Sequence, residues 1–288
     1  MQNAFEDNYF SNRSSCLAFT NLTAQNGWVR TKSSYYAQAA ASLFSSSDYY
    51  SLDGDLNLNG NTFTNYALSM YGEYGITNNI TLIGNIPILK INQFDVTEPA
   101  LGIGDIRIGA KYKLLAQIPT TLALETEIPT GDGILFTDSK SPNALGIIEQ
   151  INLPTSDGEW NFLVTLATSM SSSNGKTFGS LFGTINLRTE SFSHQYKSGA
   201  EIGHYLFDRL WLIGKLQING TLSDSPNKAV SFLYGEGTTY TAFGATAIYQ
   251  LNEQLGLVFS YFDYEDFLLK RKNIYDGATF SIGVSIEK

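Results

Sequence analysis

The stretch Ile106-Arg107-Ile108-Gly109-Ala110-Lys111-Tyr112-Lys113-Leu114 decides the fold. Every even position carries an apolar side chain, and every odd one a charged residue or glycine. A period of two sends successive side chains to opposite faces of a strand. The same alternation recurs outward in both directions, in turn-separated segments from Trp28 to Lys288, with almost no helical pattern between them. In a soluble sandwich the apolar faces would meet a second sheet. A dozen such strands instead suit an all-β, antiparallel transmembrane barrel, closed on itself, with lipid outside and water inside.

Composition is compatible with that reading and excludes others. The chain has 288 residues, of which 16% are charged and 13% aromatic. No uninterrupted apolar run exceeds about four residues, against the ~18 of a spanning helix. The mean hydropathy of -0.10 therefore argues against a helical membrane protein but not against a barrel, where only alternate residues face lipid. A net charge of -9 makes nucleic acid a poor partner. The single cysteine, Cys16, allows no intrachain disulfide. Asn12-Arg13-Ser14-Ser15 before it lacks the leucine-rich approach of a lipid anchor, so a plain thiol is expected. Residues 1–27 show no basic start, apolar stretch or small-residue cleavage site. They read as an N-terminal periplasmic segment whose leader is already gone, ahead of a barrel over 28–288.

Thirteen stretches alternate: 28–47, 62–76, 80–92, 103–115, 119–130, 143–153, 160–171, 179–190, 195–206, 210–222, 239–251, 255–263 and 277–288. Single-chain bacterial barrels have an even number of strands, with short periplasmic turns and longer outer loops. The connections at Thr77-Asn79, Ala116-Pro119, Asp208-Arg209 and Asn252-Gln254 are the short ones. Even spacing between them requires one stretch between 119 and 207 to be dropped. Residues 143–153, with poor alternation around Ile147-Ile148, go into a long loop over 131–159. About twelve strands remain, with both termini on the periplasmic side. Aromatic residues Tyr74, Tyr112, Phe207, Trp211 and Tyr249 then cluster near the short turns, as an interfacial girdle does. The proposed outer loops hold 15 of the 27 acids against five bases, so the acidic balance lies on one rim.

The polar faces carry the candidate lumen residues. Asp105, Arg107, Lys111 and Lys113 lie on one strand and Glu125 and Glu127 on the next, with Arg107 roughly opposite Glu127. Arg188, Lys197, Glu201 and Lys215 form a second group, and Glu73 joins from strand 2. Against hydrocarbon a mid-depth Arg or Lys costs about 2–4 kcal/mol, so these groups should point inward. There they either neutralise one another and fill the interior, or form a charged constriction that selects solutes. Leu163, Trp211 and Ile213 fall on the same inward phase and could form an apolar inner pocket.

Other chemistry finds little support. A serine hydrolase on a barrel needs Ser, His and an orienting group. The two histidines are His194, in a tight outer turn, and His204, on an apolar phase near the other end. Ser171-Ser172-Ser173-Asn174-Gly175 has no histidine nearby. No enzyme activity is expected. Gly102-Ile103-Gly104-Asp105-Ile106-Arg107 lacks the third glycine and the helix of a dinucleotide site. Asp55, Asn57 and Asn59 match the start of a calcium loop, but Tyr66 stands where the bidentate Glu should be. An ordinary loop is the better reading, and no metal or cofactor is expected.

Longer motifs carry a resemblance. They are Leu68-Ser69-Met70-Tyr71-Gly72-Glu73-Tyr74-Gly75-Ile76-Thr77, then Gly102-Ile103-Gly104-Asp105-Ile106-Arg107-Ile108-Gly109-Ala110-Lys111-Tyr112, and Glu127-Ile128-Pro129-Thr130-Gly131. Asp157-Gly158-Glu159-Trp160, Lys197-Ser198-Gly199-Ala200-Glu201-Ile202-Gly203, Leu210-Trp211-Leu212-Ile213-Gly214 and Ala247-Ile248-Tyr249-Gln250-Leu251-Asn252 complete them. With these, the chain from Tyr35 to Ile286 resembles the outer-membrane barrel family associated with the meta pathway of phenol degradation. The resemblance implies an outer-membrane location, lipid and lipopolysaccharide as surroundings, and uptake of small, aromatic or hydrophobic molecules. It supplies no substrate residues. One departure is the end, Ser285-Ile286-Glu287-Lys288, where bacterial barrels commonly finish on an aromatic residue; the last one here is Phe280. Three functions stay open: a channel for small polar solutes, a facilitator opening sideways to lipid for hydrophobic ones, and an accessory barrel sealed by ion pairs.

Overall fold

The structure, a computed structural model, describes residues 25–58, 60–223 and 231–288. Twelve long strands make the wall: β1 (Tyr35–Ser46), β2 (Phe63–Gly75), β3 (Ile80–Phe94), β4 (Ile106–Leu115), β5 (Thr120–Ile128), β6 (Asn161–Ser171), β7 (Thr177–Arg188), β8 (Gln195–Leu206), β9 (Leu210–Thr221), β10 (Tyr240–Gln250), β11 (Leu255–Glu265) and β12 (Thr279–Glu287). Each pairs antiparallel with its sequence neighbours, and β1 pairs with both β2 and β12. The barrel is closed, so no long edge is left unpaired. β1 begins and β12 ends at the short-turn rim, where the Tyr35 N–H donates to the Lys288 carbonyl at 3.0 Å.

Alternation fixes the faces. Outward residues include Leu68, Met70, Leu82, Ile108, Leu124, Leu166, Ile202 and Ile282, all exposed. Together they form a continuous apolar belt, whereas soluble monomers rarely expose more than a few hundred Å2 of such surface in one patch. The belt has one irregularity. The β2–β3 register shifts at Leu68/Ser69, so Ile88 and Leu89 both face out. This bulge adjoins Pro87, which has no N–H to give the ladder.

The long loops carry their own small elements. Residues Asp48–Tyr50, Leu56–Asn57 and Ile274–Asp276 form a three-stranded sheet above the wall. Phe136–Asp138 pairs with Gln150–Asn152, so the weak stretch 143–153 belongs to a loop, as its poor alternation indicates. A 3-10 turn, Phe232–Tyr234, folds inward from the β9–β10 connection.

Two expectations change. The first strand begins at Tyr35; residues 25–30 instead lie inside the barrel, and an exposed turn at 31–33 leads into β1. Trp211 is no girdle residue: it is only 6% exposed and packs inside with Phe178, Ile213, Ile248 and Val258. Its inward phase decides its position, not its closeness to a turn. Tyr74, Tyr112, Phe207 and Tyr249 remain exposed near that rim.

Candidate functional site: a lumen in three tiers

The candidate lumen residues divide between levels of the barrel interior. The lowest level, at the short-turn rim, is occupied by the chain's own residues 25–31. Passage past the rim requires two close backbone approaches. A Cβ on Gly75 would lie 2.0 Å from the Thr31 carbonyl oxygen, and one on Gly27 would lie 2.1 Å from that of Pro119. Glycine at both positions removes the clash.

This segment is held by wall residues from eight strands. Arg30 Nε donates to Glu73 Oε2 at 2.9 Å, and its Nη1 lies 3.5 Å from Glu287. Lys111 Nζ donates to Glu73 Oε1 at 3.0 Å and to Asn26 Oδ1 at 3.2 Å. Tyr71 also donates to Glu73, at 2.8 Å. Glu73 thus accepts from three donors and carries the charge that binds Arg30 and Lys111 together. Thr81 and Ser169 accept from the backbone N–H groups of Arg30 and Gly27, and Thr121 donates to the Asn26 carbonyl. Lys215 donates to Gln25 and pairs with Glu201 at 3.2 Å. Trp28 packs edge-on against Phe178, joining the segment to the apolar cluster around Trp211. Leu163 is buried inside but lies outside that cluster.

Above this tier lies a polar chamber of about 270 Å3. Arg107, Glu127, Asn161, Arg188 and Lys197 contribute to its wall, with Leu163 and Phe232 as apolar patches. The expected register holds: Arg107 stands opposite Glu127 and donates to it through Nε at 3.0 Å. Glu125, one step lower on the same face, is buried. Asp105 sits just ahead of β4 and accepts from the Gly131 N–H at 3.2 Å, fastening the long β5–β6 loop to the wall.

The upper tier is a lid organised by Arg188. Its guanidinium bonds Glu159 and Asp157 from the β5–β6 loop, and it donates to the carbonyls of Tyr234 (2.7 Å) and Gly235 (3.3 Å) in the inward-folded turn. Glu236 lies 3.8 Å away and also accepts from the Ser193 backbone N–H. Burial raises the carboxyls of Asp157 and Glu159, with the Arg188 charge opposing it. Beside this polar lock, Phe232 packs against Phe63 and Tyr275 at ring-centroid distances of 4.9 and 4.8 Å.

Among the described residues, no cluster of three or more His, Cys, Asp or Glu side chains has metal-binding geometry. In the weak calcium candidate, the Asp55 N–H donates to Ser51 Oγ and Asn57 pairs with Tyr49. Asn59 and Cys16 lie outside the described residues. His204 faces outward and bonds Thr177 at 2.8 Å. A larger concavity, about 1080 Å3, lies along the outer wall where Ala41, Gly214, Ala245 and Ala247 thin the apolar belt.

Sequence reasoning placed the wall charges but missed their partners in the first and last tiers: Gln25, Asn26, Arg30, Asp157, Glu159, Tyr234, Glu236 and Glu287. One signal was present. The first alternating stretch, 28–47, is far longer than the 9–11 residues a tilted spanning strand needs, so part of it had to lie elsewhere.

No family model matches the chain, and no curated protein does. The likeness to the phenol-degradation barrels therefore rests on the motifs quoted above. Solved structures show the fold. An outer-membrane channel from Pseudomonas putida F1 aligns with a TM-score of 0.62 at 13% identity, covering 91% of this chain and 97% of that one. The translocator domain of the autotransporter NalP from Neisseria meningitidis aligns at 0.56 and 7% identity, covering 90% of each. The NanC porin aligns at 0.50 and 9% identity, covering 86% of this chain and 98% of that one. At these identities the likeness establishes a closed antiparallel barrel.

Proposed function

We infer that this chain is an outer-membrane channel for small solutes that rests in an occluded state. The exposed apolar belt calls for a hydrocarbon surrounding, with outer-membrane lipid and lipopolysaccharide as its neighbours. The short-turn rim, where β1 begins and β12 ends, is then the periplasmic side, and the acidic loops face outward. The observation that carries the reading is the polar chamber, walled in part by the lid residues Asp157, Arg188, Tyr234 and Gly235, with residues 25–31 filling the lumen nearer the short-turn rim. Lid and segment are both held by noncovalent, largely polar contacts, so each is displaceable without breaking the barrel's backbone ladder. Twelve strands lie between the side-chain-filled eight and the open sixteen, which suits small cargo. Leu163 and Phe232 on the chamber wall, with the motif resemblance, favour solutes with an aromatic or apolar body.

A second reading is an accessory barrel sealed by ion pairs. The Arg30–Glu73–Lys111 group favours it, whereas Lys197 does not: it has no ion pair or hydrogen bond among the described residues. Swelling of proteoliposomes in a size series of neutral solutes separates the two. The channel reading expects permeation by small solutes, faster in Arg30→Ala than in the unaltered chain. Correctly folded barrels that admit no solute in either form would support the sealed reading.

A further inference from the structure

We propose that the chamber between plug and lid is a binding site for a small carboxylate, with Lys197 as its anchoring cation. The proposal deepens the channel reading and rests on it for the ligand's passage, though not for its binding.

The register shows why Lys197 stands apart. Two of the other inward bases meet an acid directly across the sheet: Arg107 faces Glu127, and Lys215 faces Glu201. Lys197 faces Thr184 on one side and Asn219 on the other. Both are neutral. The strongest charged neighbours of Lys197 are Arg107, Lys215, Glu127 and Glu125. Neither carboxylate comes within ion-pair distance of it, and Glu127 is engaged with Arg107. On the chamber wall, Arg107 is matched by Glu127, and Arg188 by Asp157, Glu159 and Glu236 behind it. Among the described residues, Lys197 is the lining cation that no carboxylate pairs with, and it faces the cavity. Lys197 is half-buried, and drawing such a charge away from bulk water is unfavourable unless a partner supplies the counter-charge.

A second group on the wall has unspent hydrogen-bonding capacity. Asn186 Nδ2 donates to Asn161 Oδ1 at 2.7 Å, which leaves Asn161 Nδ2 and Asn186 Oδ1 without partners. Turning both amides over only exchanges which residue keeps the free N–H2, so one donor remains whichever way they point, packed just beneath the chamber surface and reached by a ligand once the amide rotates. A carboxylate takes a charge-assisted bond from an ammonium and accepts further N–H groups through its remaining lone pairs. The cavity's 270 Å3 lies near the lower end of the ~300–1,000 Å3 of small-molecule pockets. It therefore admits a monocarboxylate of single-ring size, its apolar body against Leu163 and Phe232, and not an extended acidic polymer.

Benzoate is the probe, with benzyl alcohol as its uncharged counterpart, titrated calorimetrically into the refolded full chain in detergent. The unaltered protein should bind benzoate saturably and at least tenfold more tightly than benzyl alcohol. Lys197→Met should weaken benzoate binding at least tenfold, and Lys197→Arg should retain most of it. Heat-modifiable gel migration establishes that each variant is folded; should Lys197→Met fail to fold, Lys197→Gln takes its place. Equal binding of benzoate and benzyl alcohol, or benzoate binding unaffected by loss of the Lys197 charge, overturns the proposal. Permeation of neutral solutes without benzoate binding would refute the chamber site while leaving the channel intact. Benzoate binding to a barrel that passes nothing would support the site and refute the channel.

Discussion

Replacing Arg30 by alanine should loosen the plug far more than the barrel. Arg30 makes a 2.9 Å bond to Glu73 and a 3.5 Å ion pair with Glu287, and lies 5.2 Å from the centre of the Tyr36 ring. Its side chain is only 9% exposed, so these contacts are poorly screened. Removing one member of a buried ion pair costs about 3–5 kcal/mol, chiefly because the other charge is stranded. Here Glu73 keeps Lys111 at 3.0 Å and Tyr71 at 2.8 Å, so about 2–3 kcal/mol is the better figure. All of it is lost in the plugged state and none in a displaced one. Each 1.4 kcal/mol is a factor of ten, so the displaced population should rise about 30- to 150-fold. A reporter cysteine at position 29 (Val29→Cys in a Cys16→Ser background) reads this population as its labelling rate with a water-soluble maleimide. The rate should rise by that factor in Arg30→Ala, while the denaturant midpoint of the barrel moves little. An unchanged labelling rate would refute the view that Arg30 holds the segment in place.

Three further outcomes follow from the same contacts. Arg107→Ala with Glu127 retained should destabilise the barrel by about 1.5–3 kcal/mol, since a charge-assisted bond is lost and a carboxylate stranded; denaturant titration measures it, and an unmoved midpoint counts against a structural pair. Arg188→Ala should release the lid, with a local cost of about 3–5 kcal/mol, read as faster hydrogen exchange at Tyr234 and Gly235 than at wall amides; uniform exchange would contradict its role as the lock. Burial pushes the Asp266 carboxyl up, but hydrogen bonds from Arg271 outweigh this and hold it below its ordinary value. A depressed carboxyl stabilises above its unfolded pKa and loses that contribution as pH falls through its folded one, so the Asp266–Arg271 contact should persist at neutral pH and be lost only in acid below the usual Asp range. An NMR titration of Asp266 midway at or above that range would be contrary.

Legibility in the sequence followed the range of each interaction. The faces of β4 could be read from nine consecutive residues, because strand alternation is local. The Arg107–Glu127 pairing could be read too, since a short turn fixes the register of neighbouring strands. Loop parity then placed 143–153 outside the wall. The plug could not be read in this way. Arg30 meets Glu73 and Glu287 only once the barrel has closed, and no spacing rule relates residues so far apart in sequence. The Arg188 lock is similar: its partners come from two separate loops. Trp211 shows the converse, a residue whose nearness to a turn suggested the interface while its phase put it in the lumen. Lys197 was recognisable as an inward charge, but its lack of a carboxylate opposite emerges only from pairing on both sides.

The central claim is that solutes pass through this charged lumen once the plug moves, and single-channel conductance in a planar bilayer tests it most directly. The unaltered chain should show infrequent steps and Arg30→Ala frequent ones, with the ion preference of those steps shifting toward cations when Lys197→Glu is added. Folded barrels that stay silent in all three forms, or steps whose ion preference ignores the charge at position 197, would contradict the account.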